Sequence, residues 1–285
     1  METSDPALPW PEETGTKLRD KIRRGERAVL VLDDSKGETL ASLDPQRRLW
    51  AGVLFTPAAA AASLNVHYAL QRALEAETGR KAIHFTELRT GNGPYKGWTV
   101  ERRLAPMRDL LEAMMIAELP VAVVQVTPDT IRVLKESRHG VPHGPWFNGD
   151  KPDELALLSL LHLFETKIGS SYAVEITAVA DRWKNADNEL RVWWDRKTGE
   201  PLMNWLTPPG LVHSSTDDFP LLQYADLVAW GYLRMERFRT LAVEPDKYET
   251  QFLELLIEMS GQWKTLGIDA DGQPYFKTLS ELDWP

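Results

Sequence analysis

AVLVLDDSKG (28–37) decides how this chain is read: five consecutive apolar residues run without a break into Asp33-Asp34-Ser35-Lys36-Gly37. A short apolar run bounded by turn residues suggests a strand buried on both faces, the kind found in sheets covered by helices on either side. Working outward, LWAGVLF (49–55) is the next strand, with Gly37 to Arg47 as the connection. Pro57 opens an Ala-rich helix that runs through Leu74 to Glu77 and stops at Gly79. Further on, a helix is expected over Arg102–Ala117, a strand over VAVVQV (121–126) and a nearly all-apolar helix over Asp153–Ile168. Val174–Ala180 is a strand that again ends on an acid, Asp181, and helices follow near Leu221–Arg234 and Tyr248–Met259. Strands alternating with helices define an α/β class.

The chain has 285 residues and no cysteine, which excludes disulfides, thiolate metal sites and a Cys nucleophile, and fits a cytoplasmic protein. No apolar run approaches the roughly 20 residues needed to cross a bilayer, so no membrane partner is expected. Residues 1–27 divide into a Pro-containing leader and a basic segment, with Lys17, Arg19, Lys21, Arg23, Arg24 and Arg27 within a few turns. A solvated helical face is the plain reading of that segment and a nucleic-acid contact the sharper one. Residues 28–285 are expected to form a single domain. The balance of 33 Lys+Arg against 42 Asp+Glu gives a net charge of −9, so any polyanionic partner must meet a local basic patch or bound cations.

The informative residues are acids in apolar company. Asp33 and Asp181 terminate apolar strands, and ligands of open α/β sheets sit beyond strand ends. Asp226 lies in a helix opened by Pro220, with Asp217 or Asp218 as the expected N-cap. Its neighbours one turn away are Leu222, Gln223, Ala229 and Trp230, so it should face the core. A buried carboxylate costs several kcal/mol, by rough estimate, unless it is paired, hydrogen-bonded or on a metal. A divalent ion shared by Asp33, Asp181 and Asp226 would compensate, and hard Mg²⁺ or Mn²⁺ suit carboxylate oxygen. On spacing alone a plainer set of partners is equally open: Asp33 and Asp34 capping a turn, Asp181 paired with Arg182, and Asp226 paired with a buried Arg.

Four segments in order resemble a known family. They are VLDDS (31–35), IHFTEL (83–88) followed by TGNG (90–93), VADR (179–182) and LLQYADLVAW (221–230). Together they resemble the domain-of-unknown-function family numbered 3800, of the ribonuclease-H-like superfamily. The resemblance implies a mixed sheet flanked by helices, with a C-terminal helical extension. It also implies that Asp33, Glu87, Asp181 and Asp226 are catalytic metal ligands for Mg²⁺ or Mn²⁺. Asp34, Ser35, His84 and Gln223 would stand in the second shell or touch substrate. The family pattern selects Asp33 over Asp34, which strand register alone could not do. Lys36 stands where the family shows glycine. The implied activity is phosphodiester hydrolysis of nucleic acid, with a role in defence against foreign nucleic acid. Two other readings are a superfamily domain that binds without cutting and a metal-independent carboxylate-pair glycosidase.

Other candidates carry less. His139 and His143 lie in a Gly/Pro loop unsuited to a zinc frame. His162 reads as a core histidine, Trp193-Trp194 as packing, and Ser214-Ser215 lack a nucleophile elbow. No phosphate-loop or dinucleotide fingerprint is present.

Overall fold

In the computed structural model the described residues are 15–36, 47–138, 140–143, 148–166, 175–181, 205–206, 211–241, 244, 246–259, 264–268 and 274–278. The run that opens the reading is β1 (Ala28–Lys36), which pairs antiparallel with β2 (Arg48–Phe55). β2 in turn pairs antiparallel with β3 (Val121–Val126). On the other side of β1 lie two parallel neighbours, β4 (Ile176–Asp181) and then β5 (Leu211–Ser214). A hairpin of β6 (Lys264–Ile268) and β7 (Pro274–Thr278) extends the sheet beyond β3, giving the order β5-β4-β1-β2-β3-β6-β7. Three antiparallel strands with two parallel strands added beside the first form a mixed α/β sheet consistent with the ribonuclease-H-like arrangement that the resemblance implied.

Between β2 and β3 come α2 (Pro57–Thr78), α3 (Phe85–Thr90), a 3₁₀ turn (Gly93–Tyr95) and α4 (Val100–Ile116). The Thr56 side chain caps α2 by accepting from Ala59 N–H, and Gly79 ends it at φ 71°. α5 (Pro128–Glu136) and α6 (Pro152–Phe164) follow β3, while α7 (Leu222–Leu241) and α8 (Lys247–Met259) follow β5. α1 (Gly15–Arg23) precedes β1 and packs on α2 with Leu18 and Ile22 buried.

Alternation along the strands sorts two cores. Val29 and Val31 of β1, with Val53 and Phe55 of β2, face α2, α4, α7 and α8. Leu30 and Leu32, with Trp50 and Leu54, face α5 and α6. Gly52 belongs to the second side, where α6 approaches so closely that a Cβ would lie 2.7 Å from the Phe164 ring.

Several expectations change. The helical extension is present as α8, and beyond it the β6–β7 hairpin, which was not expected, joins the sheet edge. β5 and α5 were not anticipated, because neither four residues nor nine give a clear period. His162 is an exposed residue, not a core one: it lies on the outward stripe of α6, its side chain 68% accessible, beside Glu165. The carboxylate of Asp218 does not cap α7. It accepts from the Ser215 hydroxyl at 2.8 Å and closes the turn before the helix. His139, Arg182 and Trp193-Trp194 lie outside the described residues.

Candidate functional site

The two strand-end acids share a face and a level. Parallel pairing aligns Val31 with Val179 and Leu32 with Ala180, so the next position in register sets Asp33 beside Asp181. Asp33 continues the Val29–Val31 alternation and Asp181 continues from Val179, all on the side covered by α7. Asp34 therefore belongs to the opposite side, level with Trp50, whereas Ser35 returns to the side of Asp33. β1 continues paired through Lys36, which keeps Ser35 in the strand despite the lysine at the family's glycine position. Ser214 of β5 pairs with Asp181 and extends the row across a third strand. Sequence reading missed this role for Ser214, because the short strand that carries it shows no alternation.

α7 crosses this face over β1 and β2 and brings the third acid. Asp226 is half-buried, as are Asp33 and Asp181, amid the buried Ala225, Leu227 and Ala229 of its own helix. Burial, and then the Asp181 carboxylate, pushes the Asp226 carboxyl up to about 7, against the opposing effect of a hydrogen bond with Asp33. Burial first, followed by Asp226, Asp181 and Asp34, holds the Asp33 carboxyl well above the usual carboxylate range. Three buried or largely buried arginines pair with other acids: Arg27 with Glu175 at 2.7 Å, Arg47 with Glu236 at 3.1 Å and Arg234 with Glu249 at 3.0 Å. Asp33 and Asp226 thus face each other and Asp181 across a small volume rich in negative charge.

The helix is held in place by polar anchors on both sides. Tyr224 Oη lies 2.7 Å from Nε2 of His67 on α2, and burial pushes that imidazole down to about 4, so it stays neutral at physiological pH. Gln223, buried, accepts the Ile83 backbone N–H at 3.2 Å. Phe85 then meets Trp230 at 5.9 Å between ring centroids. Gln223 and Trp230 flank Asp226 at three and four residues on one stripe of α7. The segment 83–88 accordingly runs alongside the stripe that carries Asp226.

That segment presents His84, which is exposed at the N-cap position of α3, and Glu87. One oxygen of Glu87 takes Arg80 at 3.3 Å. The other, Oε2, is buried with no hydrogen-bond partner among the described residues. Gly93 abuts it, at φ 58°, where a Cβ would come within 3.1 Å of the same oxygen. The TGNG loop is thus shaped around the Glu87 carboxylate. An orphaned carboxylate oxygen and three mutually repelling aspartates suit a hard divalent cation. Among the described residues, no three Asp, Glu or His side chains close around one point as a finished ligand set.

Comparison with protein-family models, curated proteins and solved structures finds no match for this chain.

Proposed function

We propose that this protein is a divalent-metal-dependent nuclease of ribonuclease-H-like type, acting on a phosphodiester of nucleic acid. The observation that carries the reading is the convergence of Asp33, Asp181 and Asp226, from two adjacent parallel strands and a crossing helix, where Asp181 raises the proton affinity of both other carboxylates and Asp226 raises that of Asp33. Stable ionisation of such a group at neutral pH calls for cationic charge, and no arginine supplies it to Asp226 among the described residues. Asp33, Asp181 and Asp226, with Glu87 from the adjoining segment, are the residues that would hold Mg²⁺ or Mn²⁺. When bound, the ion supplies electrostatic stabilisation of the negative charge that develops on a transferring phosphoryl group.

The chain's own residues do the positioning. The β1–β4 register fixes two carboxylates at one level, and the Gln223–Ile83 hydrogen bond fixes the third relative to the Glu87 segment. His84, exposed at the start of α3, and Ser35, on the Asp33 side of β1, would meet substrate. A cysteine-free chain acting on nucleic acid inside the cell fits the cytoplasm, and among the described residues no helix is long and apolar enough to cross a membrane. A role in defence against foreign nucleic acid accords with the resemblance to the family numbered 3800.

The test is calorimetric titration of Mn²⁺ into the wild type, Asp33→Asn and Asp226→Asn, alongside cleavage assays on single- and double-stranded DNA and RNA. We expect saturable binding and metal-dependent cleavage in the wild type, both lost in the variants. Ion binding without cleavage of any of these substrates would move the reading to a binding module.

A further inference from the structure

A second polar cluster lies further along the same helix. Arg89, in the last turn of α3, and Arg234 and Arg237 of α7 converge on one carboxylate, Glu249 of α8. The separations from Glu249 Oε1 are 3.4, 3.0 and 3.8 Å respectively. Asp246 adds a contact of 3.3 Å to Arg89, but its side chain is 57% exposed and water screens it. Among the described residues, three guanidinium groups therefore share one buried carboxylate and one solvated one, which leaves positive charge uncompensated there.

The arginines are also incompletely bonded. The Nε atoms of Arg89, Arg234 and Arg237 are buried without hydrogen-bond partners among the described residues. Arg237 reaches Glu249 only at ion-pair distance, and the side chains of Arg89 and Arg237 keep 21% and 25% of their surface. Their planes are braced by stacking: Arg234 lies 4.6 Å over Trp230 and Arg237 lies 5.7 Å over Phe238. Arg103, stacked on Tyr248, donates to the Leu88 and Arg89 carbonyls and so fixes the end of α3 that carries Arg89. Held guanidinium groups that keep part of their surface, as Arg89 and Arg237 do, match the geometry of phosphate oxygens.

The placement relative to the acids is as informative. Arg237 follows Asp226 by eleven residues, which is about three turns at 3.6 residues each, so both fall on nearly the same stripe of α7, about 16 Å apart. Arg89 lies two residues after Glu87 on α3, about 200° round the helix, and so turns from the Glu87 side toward Glu249. A strand whose phosphodiester lies over the acids would have another phosphate, a few nucleotides away, over the arginines.

We propose that Arg89 and Arg237, with the buried Arg234 adding its charge, form a phosphate-binding site that grips a nucleic-acid strand beside the acidic centre. The proposal rests on the nuclease reading for its substrate class, and its test separates the two. Binding of a short fluorescein-labelled oligonucleotide is measured in EDTA, over a salt series, for the wild type, Arg89→Gln, Arg237→Gln and, as control, Arg132→Gln. Arg132 lies on α5, on the far side of the sheet, paired with Asp129 and Glu136. Thermal melting confirms that each variant is folded. We expect each cluster variant to bind about fivefold more weakly at 0.1 M salt, with the salt slope reduced by about 0.7, as for loss of one single-strand phosphate contact. The control should bind as the wild type does.

Wild-type protein that does not bind the oligonucleotide, or folded cluster variants that bind as well as the wild type, would overturn the proposal. Cleavage by the wild type with Mn²⁺ is scored separately. Weakened binding in the variants without any wild-type cleavage leaves the phosphate site standing and removes the nuclease reading. Wild-type cleavage with unchanged variant binding does the reverse.

Discussion

Gln223 Oε1 accepts the Ile83 backbone N–H at 3.2 Å, one turn before Asp226, and so ties the entry of α3 to the helix that delivers the third acid. Replacing Gln223 with Ala leaves that amide without its partner, at a cost of about 1–3 kcal/mol. A larger effect is expected on function than on stability, because the same bond sets Glu87 relative to Asp226. Gln223→Ala should weaken Mn²⁺ affinity in calorimetry while circular dichroism still shows a folded protein. Unchanged affinity would show that the segment 83–88 is placed by packing alone.

The acidic centre gives the metal-free protein a defined pH dependence. The Asp226 carboxyl sits at about 7 in the folded chain and near its ordinary value of about 4 when unfolded. Between those values the folded state holds the extra proton, so stability is greatest below about pH 4 and is lost as pH rises through 7. In EDTA the contribution of this group therefore makes the wild type less stable at pH 8 than at pH 5. Asp226→Asn should flatten the dependence and raise the pH 8 melting temperature by several degrees, as more than about 1 kcal/mol would do in a domain of this size. Parallel profiles for wild type and variant would show that burial and Asp181 do not hold the Asp226 carboxyl above its ordinary value.

Gly93 is required twice over, by its φ of 58° and by the Glu87 oxygen that a Cβ would meet at 3.1 Å. Gly93→Ala should destabilise by about 1–2 kcal/mol from backbone strain and displace the carboxylate from its position. A drop in Mn²⁺ affinity together with a lower melting temperature is the expected pair of readouts. Gly97, with φ 84° but open space around its Cα, is the comparison: Gly97→Ala should lower stability and leave Mn²⁺ binding intact.

Glu249 holds three arginines that otherwise repel one another, and burial together with Arg89 already pushes the Arg234 guanidinium down to about 10. Removing the shared carboxylate with Glu249→Gln leaves Arg234 buried without its counter-charge. We expect a loss of about 3–5 kcal/mol in urea unfolding, partly restored by Glu249→Asp. A loss below about 1 kcal/mol would mean that stacking on Trp230, not the ion pair, keeps Arg234 in place.

Local pattern was enough to find the strand that starts at Ala28, though not its continuation to Lys36, and the helix around Asp226, and to mark Asp33, Asp181 and Asp226 as acids in apolar surroundings. Such features are written in a few consecutive residues: an unbroken apolar run, a proline at a first turn, a carboxylate whose neighbours one turn away are apolar. Choosing Asp33 over Asp34 from the residues themselves was out of reach, because alternation vanishes when both faces of a strand are buried. That choice needed the register of β1 against β4 and the knowledge that α7 covers the Val29–Val31 side. Ser214, the β6–β7 hairpin and the outward turn of His162 were decided in the same way, by pairing and packing that short segments do not encode. The arginine cluster is the clearest case: Arg89 and Glu249 are 160 residues apart in sequence, and only the docking of α3 and α8 against α7 makes them neighbours. Charge sums are properties of the chain, but which charges lack partners is a property of the fold, because pairing requires a few ångströms and burial removes the water that would otherwise substitute.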